Sequence, residues 1–228
     1  MLYNKKTVQE NIRNREGKRV FYLGKGDQLT SDARDYLSRE RITILPAEQA
    51  KPQSYQLLGG GIVTEKPEHM THLNAQVLVP KTHPRIAFRG AVDLLEGQIL
   101  LCQSIADDGF YKKLQEALEL ARQLIRCDVL EEPVPVMRLG GMDEEQLRKR
   151  SHLPQNFYGQ PHFMPEGRDD SLLLQINLAR AMARKTELQA VRAFSDREGN
   201  PTRPDILQAL NRLSRYLYIL MIELKANK

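Results

Sequence analysis

The stretch from Pro204 to Lys225 has the sequence Pro-Asp-Ile-Leu-Gln-Ala-Leu-Asn-Arg-Leu-Ser-Arg-Tyr-Leu-Tyr-Ile-Leu-Met-Ile-Glu-Leu-Lys. Its apolar residues recur every three or four positions, at Ile206, Leu210, Leu213, Leu217 and Leu220. This spacing is that of one face of an α-helix packed against neighbours. The sequence therefore predicts a long C-terminal helix in a helical bundle.

Other long helices are predicted from the positions of the prolines. No proline occurs from Arg85 to Glu132 or from Glu166 to Asn200, and proline is rarely tolerated inside a helix. The Asp107-Asp108-Gly109 segment divides the first of these runs into two helices of about six turns each. The second run has its own apolar stripe at Leu172, Ile176, Ala179, Ala183, Thr186, Ala190 and Phe194.

The first fifty residues have a different pattern. Residues 19–23 and 42–45 are typical of short strands, and a helix is expected from Asp32 to Glu40, with Ser31 as its cap. We therefore expect a mainly α protein. Residues 1–50 form a small α/β appendage, residues 51–65 a linker, and residues 66–228 a bundle of four or five helices. One of these helices is a short one near Asp143, after Gly140-Gly141.

Composition excludes some functions and leaves others open. The 228 residues include 34 Lys and Arg against 29 Asp and Glu, a net charge of +5, and no Trp. Because the two signs are interleaved and aromatic residues are few, nucleic acid is not expected as a partner. A smaller anion such as a nucleotide would suit this charge, and so would a surplus of solvated basic residues. No apolar run approaches the roughly 20 residues of a membrane helix, and the first residues lack a secretory signal, so a cytoplasmic location is expected.

Two positions in the predicted helices are candidates for chemistry. Arg180, Arg184 and Glu187 share one helical face, beside the apolar stripe, because they are spaced i, i+4 and i+7. Such a row can bind a polyphosphate, join subunits, or form a solvated row of salt bridges. Asn211 lies in mid-helix, where asparagine is unfavourable. It is either a specific hydrogen-bonding residue or a tolerated surface residue.

Weaker signals lie elsewhere. The segment from Lys81 to Arg85 is basic and precedes a helix, an arrangement that favours anions. His69 and His72 could share a metal, but structural zinc sites need four ligands, and no metal site is expected. The two cysteines, Cys102 and Cys127, are more typical of a core than of a catalytic pair.

The order of these motifs resembles PduO-type cobalamin adenosyltransferases. Lys81-Thr-His-Pro-Arg-Ile followed by Gly90-Ala-Val-Asp-Leu-Leu resembles one segment of that family, and residues 179–187 resemble its Arg-rich helix. Leu210-Asn-Arg-Leu-Ser matches its Leu-Asn-Arg-Leu-Ser helix. The ethanolamine-utilisation branch, the EutT type, is more similar still. It shares the segments at residues 29–37, 71–73 and 167–169, and the long run Arg203-Pro-Asp-Ile-Leu-Gln-Ala-Leu-Asn-Arg-Leu-Ser.

The resemblance implies a reaction and its partners. A cob(I)alamin cobalt attacks the 5′ carbon of ATP, the polyphosphate leaves, and adenosylcobalamin forms for ethanolamine ammonia-lyase. The implied ligands are ATP, Mg²⁺ and cobalamin. The implied assembly is a homotrimer with sites between subunits, in the cytoplasm or inside a bacterial microcompartment.

The same resemblance implies roles for individual residues. Catalysis is assigned to Arg184, Glu187 and Asn211. Asp93 and Arg180 correspond to a pair that joins neighbouring subunits. One or both of His162 and Phe163 take the place of an aromatic residue that helps displace the lower cobalamin ligand. ATP is implied to contact Thr71, His72, Lys81, Arg184, Lys185, Glu187 and Asn211.

Departures from the family pattern motivate alternative hypotheses. The glycine-rich ATP loop of the PduO type is replaced by residues 63–71, and Leu188 stands where the family has an arginine. A chain that keeps the fold without efficient use of ATP would be a cobalamin carrier or reactivation partner. A helical scaffold that docks through its appendage is a third hypothesis. The cysteines that bind a metal in some EutT-type enzymes have no counterpart, so catalysis is expected without a protein-bound transition metal.

Overall fold

The computed structural model describes residues 1–15, 17–49 and 54–226. The chain divides into two compact units. The first comprises Met1–Tyr55 and Ile62–Glu65, and the second comprises Gln56–Gly61 and Lys66–Lys228. Residues 51–53, the start of the expected linker, lie outside the described residues.

The first unit is the expected mixture of strands and helices. Its sheet has β3 (Lys18–Leu23) between β2 (Arg13–Arg15), which is antiparallel to it, and β5 (Thr43–Pro46), which is parallel. A separate parallel pair joins β1 (Leu2–Tyr3) to β4 (Gln28–Leu29). The helices are α1 (Lys5–Glu10), α2 (Ser31–Arg39) and the short 3-10 helix Ala47–Gln49. Its small core consists of Val8, Phe21, Leu29, Ala33, Leu37 and Ile42.

The expected cap of α2 is wrong by one residue. The N-cap is Thr30, and Ser31 is the first helical residue. The Thr30 hydroxyl makes no capping bond to the helix, because it donates to the Tyr3 carbonyl at 3.2 Å and to the Asp32 carboxylate. Asp32 does lie in the first turn, where a carboxylate favours the positive end of the helix dipole.

Short strands occupy positions where the sequence analysis places a linker and helices. These are β6 (Tyr55–Leu57), β7 (Ile62–Val63), β8 (Met70–His72) and β9 (Val77–Pro80). Strand β9 is parallel to β6 and antiparallel to β8. Segments of two to four residues are too short to show an alternating pattern, so the sequence gives no strand signal there.

The rest of the second unit is the predicted helical bundle. The four long helices are α3 (Pro84–Gln103), α4 (Asp108–Leu130), α7 (Ser171–Ala193) and α8 (Pro204–Ala226). The short ones are α5 (Glu144–His152) and α6 (Pro154–Tyr158). The break before Asp108 is confirmed, since the Asp107 side chain caps α4 by accepting from the Phe110 N–H at 2.8 Å. In the part of the chain that is described, no helix is long and apolar enough to cross a membrane.

A glycine turn brings α5 against α8. Gly140 and Gly141 have φ angles of +58° and +71°, in the left-handed region that favours glycine. A Cβ atom on Gly140 would also lie 3.1 Å from the Tyr216 ring. Two residues later, Asp143 begins α5 in a reciprocal capping arrangement with Gln146. The turn therefore fixes where α5 starts, and α5 forms one wall of the site described below.

The Arg203-Pro-Asp motif anchors the start of α8. Arg203 donates to the Cys127 and Glu132 carbonyls and pairs with Asp205 at 2.8 Å. The Asp205 carboxylate also accepts from the Val134 N–H at 2.9 Å. The Arg203 hydrogen bond, with the Val134 N–H, lowers the Asp205 pKa to about 2. This part of the long family motif is therefore structural.

We expect Asp205→Asn to lower the free energy of unfolding by about 2 kcal/mol at pH 7. A carboxyl group whose pKa is lowered by folding stabilises the protein above its unfolded pKa of 3.8, and loses that effect as pH falls toward 2. The difference between wild type and variant should shrink to about half by pH 3. Urea unfolding at several pH values measures it, and a difference that does not change with pH would contradict the role.

Candidate functional site

An open cleft of about 350 Å³ lies among α5, α7, α8 and the segment before α7. Five residues singled out in the sequence line it: His162, Arg180, Arg184, Glu187 and Asn211. Arg180, Arg184 and Glu187 come from one face of α7, and Asn211 comes from the adjacent face of α8. The cleft thus joins residues from both of the patterns on which the family resemblance depends.

Asn211 is the hydrogen-bonding centre of this cleft. Its side-chain oxygen accepts from Arg212 Nη1 at 2.7 Å and from Arg215 Nε at 3.0 Å. Its amide nitrogen donates to Glu187 Oε1 at 3.3 Å. Since every one of these bonds fixes a charged group, Asn211 has a specific positioning task, and the interpretation as a tolerated surface residue is wrong.

The Arg180, Arg184 and Glu187 side chains do not form a row of salt bridges. Arg180 donates to Asn177 Oδ1 at 2.9 Å, and its guanidinium lies 5.9 Å from the centre of the Tyr218 ring. Burial lowers the Arg180 pKa, and the charge of Arg184 lowers it further. Within the described residues Arg184 has no hydrogen bond or ion pair, so its guanidinium is available to a ligand.

An aromatic pair stands beside these cations. The His162 ring stacks on the Tyr218 ring, with centres 5.8 Å apart and planes 8° from parallel. His162 Nε2 lies 3.1 Å from the His152 carbonyl, which can only accept, so this nitrogen carries a proton. His162 Nδ1 lies 2.9 Å from the Tyr218 hydroxyl. Phe163 also stacks on Tyr218, at 6.3 Å, but does not line the cleft.

Sequence analysis missed half of the cleft. Tyr218 and Arg215 follow Asn211 at i+7 and i+4, the same spacing that marks the row on α7, so this signal was present. Ser151 and His152 had none, because only the packing of α5 on α8 brings them to the cleft. Ser214 is buried, and its hydroxyl donates to the Asn211 carbonyl at 3.0 Å.

Other predicted site residues lie outside this cleft. Thr71 and His72 are in β8, and Lys81 follows β9, where its ammonium is 3.8 Å from the exposed Glu68 carboxylate. Lys185 is exposed on α7, and Asp93 is exposed on α3. Because these residues do not meet Arg184 within one chain, their predicted contacts with ATP and with Arg180 stay predictions.

The basic segment before α3 has a structural task instead of the expected anion site. Arg85 Nε and Arg89 Nε bind the two carboxylate oxygens of Asp128 at 2.8 and 2.6 Å. Arg85 also donates to the Asp128 carbonyl, and Arg89 donates to the Leu73 carbonyl, each at 2.7 Å. Asp128 is completely buried, and this network ties α3 to α4 and to the end of β8.

The cysteines and histidines do not assemble a metal site among residues 1–15, 17–49 and 54–226. Cys102 and Cys127 are both buried and free, and burial raises the pKa of Cys102 to about 11. A thiol with so high a pKa is a poor nucleophile at neutral pH. Catalysis without a protein-bound transition metal stays a prediction.

Mg²⁺, which the family resemblance implies, has a suitable oxygen donor in the cleft. Glu187 is the carboxylate that lines it, and its Asn211 hydrogen bond uses one of its two oxygens. Mg²⁺ is commonly held by one or two carboxylates together with substrate phosphates. Glu187 therefore fits a cation that arrives with a nucleotide.

Comparisons with known proteins agree with this geometry. A family model described as cobalamin adenosyltransferase matches residues 62–224. Two proteins named corrinoid adenosyltransferase EutT, from Salmonella typhimurium and Escherichia coli, are each 35% identical over 181 residues, which is 78% of this chain and 67% of theirs.

Solved structures show the same fold. Two variants of a PduO-type ATP:corrinoid adenosyltransferase from Lactobacillus reuteri, complexed with cobalamin and ATP, each match with a TM-score of 0.50 over 75% of this chain. The matches cover 87% and 84% of those chains, at 17% and 20% identity. With the family model matching most of the chain, and the motifs it covers lining one cleft, this chain belongs to the cobalamin adenosyltransferase family.

Proposed function

We propose that this chain is a corrinoid adenosyltransferase that transfers the 5′-deoxyadenosyl group of ATP to cob(I)alamin. The observation that carries the proposal is the cleft, in which the unpaired Arg184 and the Glu187–Asn211 pair lie beside the stacked His162 and Tyr218 rings. Cations suit the polyphosphate, and an aromatic wall suits a large planar ligand.

The chemistry explains why such a cleft is useful. The cobalt(I) electron pair forms a bond to the 5′ carbon, the bond from that carbon to oxygen breaks, and its electron pair leaves with the triphosphate. The leaving group gains negative charge during this step. Arg184, together with Mg²⁺ held at Glu187, would stabilise that charge through fixed cations. Asn211 would keep Glu187 in place.

The remaining residue roles are part of the same proposal. Thr71, His72, Lys81 and Lys185 would contact ATP at a site shared by two subunits of a homotrimer, and Asp93 would pair with Arg180 of a neighbouring copy. The exposure of Asp93 and Lys81 supports this arrangement, since both side chains are accessible to a second chain. His162, with Phe163 behind it, would contact the corrinoid.

The biological setting is also proposed. The motifs resemble the ethanolamine-utilisation branch, which supports ethanolamine ammonia-lyase as the consumer of the adenosylcobalamin. It also supports a cytoplasmic protein, free or inside a bacterial microcompartment. The carrier hypothesis is not favoured, because Arg184, Glu187 and Asn211 all line the same cleft.

An anaerobic absorbance assay tests the activity. Protein, Mg·ATP and chemically reduced cob(I)alamin are mixed, and we expect the cob(I)alamin band to fall as the light-sensitive adenosylcobalamin spectrum appears. Omitting ATP is the control. A corrinoid spectrum that shifts on binding without an adenosyl product would indicate a carrier, and the absence of any binding would indicate the scaffold hypothesis.

A further inference from the structure

The α5 side of the cleft carries positive charge that the protein does not balance. Burial lowers the pKa of Arg215, and the nearby charges of Arg212 and Arg148 lower it further. Burial and the charges of Arg215 and Arg148 likewise lower the pKa of His152. The carboxylate that opposes this effect on Arg215 is Glu187, which is already bonded to Asn211. Like charges held together in this way favour a bound anion.

The Arg215 side chain is held in place but incompletely bonded. Its Nε donates to Asn211 Oδ1 at 3.0 Å, whereas its Nη1 is buried with no partner among the described residues. A buried donor without an acceptor costs roughly 1–3 kcal/mol, and more when it is charged. A ligand that supplies an acceptor at Nη1 would remove that cost.

A second depression extends the cleft from His152 along α5. It has a volume of about 310 Å³ and is lined by Glu145, Arg148, Lys149 and His152. Together the two depressions have five arginine and lysine side chains against the carboxylates of Glu187 and Glu145. The positive surface therefore continues from Arg184, past Arg215, onto the last two turns of α5.

We propose that Arg215, with Arg148 and His152, forms a phosphate-binding subsite on the α5 wall of the cleft. A guanidinium binds phosphate oxygens through two parallel N–H bonds, and Arg215 has the free donor for this. The source of the phosphate rests on the proposed function, in which two ligands carry one. These are ATP, through its triphosphate, and a complete corrinoid, through the phosphodiester of its nucleotide loop.

Binding measurements on Arg215→Met test the subsite without requiring turnover. Arg192→Met is the matched control, because Arg192 is an exposed arginine on α7 that does not line the cleft. Calorimetric titration with inorganic tripolyphosphate probes the ATP source. Absorbance titration with cobalamin and with cobinamide, which lacks the phosphodiester, probes the corrinoid source. Thermal melting of each variant checks that it is folded.

We expect Arg215→Met to weaken one phosphate-bearing probe by about tenfold or more, with Arg192→Met unchanged. Weaker tripolyphosphate binding would assign the subsite to ATP. Weaker cobalamin binding with unchanged cobinamide binding would assign it to the corrinoid. Should Arg215→Met unfold, Arg148→Gln, on the surface of α5, provides the same comparison with a smaller effect.

Equal affinities of wild type and both variants for all three probes would overturn the subsite, as would a wild type that binds none of them. Failure of the proposed function has a different signature. In that case no adenosyl product forms, while tripolyphosphate still binds more weakly to Arg215→Met than to wild type.

Discussion

Replacing Arg184 with alanine is expected to lower kcat for adenosyl transfer by about 10²- to 10³-fold. Arg184 lines the cleft, and its guanidinium has no protein partner in the described structure, so its charge is free to act on the leaving triphosphate. Such a charge matters most in the transition state, when the phosphate oxygens gain electron density. Anaerobic turnover with saturating Mg·ATP and cob(I)alamin measures the effect.

Two comparisons make this result specific. Arg192→Ala removes an exposed arginine from the same helix, outside the cleft, and should leave kcat unchanged. Corrinoid binding, followed by the absorbance shift, should be the same in Arg184→Ala as in wild type. An Arg184→Ala protein with wild-type kcat would contradict the assignment of the leaving-group cation.

Replacing Asp128 with alanine is expected to lower the free energy of unfolding by about 3–5 kcal/mol. The change leaves Arg85 and Arg89 without their buried counter-charge, although their side chains are only 18% and 15% exposed. Breaking a buried ion pair on one side is costly because the other charge stays desolvated. Urea unfolding followed by circular dichroism measures the loss.

The matched control changes the outer partner of the same arginine. Glu131 lies 3.5 Å from Arg85, and its side chain is 65% exposed. Because exposed ion pairs contribute little, Glu131→Gln should cost less than about 1 kcal/mol. If Asp128→Ala does not fold, Asp128→Asn should still be clearly less stable than Glu131→Gln. Equal effects of the two substitutions would contradict the importance of the buried network.

The long helices and their site residues could be predicted because their signals are local. The stripes on α7 and α8 each extend over more than five turns, and Arg184 and Glu187 lie on one face next to the α7 stripe. The same spacing on α8 connects Asn211 to Arg215 and Tyr218. It is visible in the sequence once the structure shows its use.

Other features could not be predicted because they depend on contacts distant in sequence. His152 reaches the cleft only through the glycine turn at Gly140 and the packing of α5 on α8. Arg85 looked like part of an anion site, but its partner Asp128 is 43 residues away. The strands from Tyr55 to Pro80 are too short to have a period of their own.

The most direct test of the account follows the transferred group itself. ATP labelled with ¹³C in its ribose is incubated with the protein, Mg²⁺ and cob(I)alamin without oxygen, and the corrinoid product is analysed by mass spectrometry. We predict that the corrinoid carries the labelled deoxyadenosyl group, and that the yield falls with Arg184→Ala. A corrinoid recovered without label, from protein shown to bind both ATP and cobalamin, would contradict adenosyl transfer.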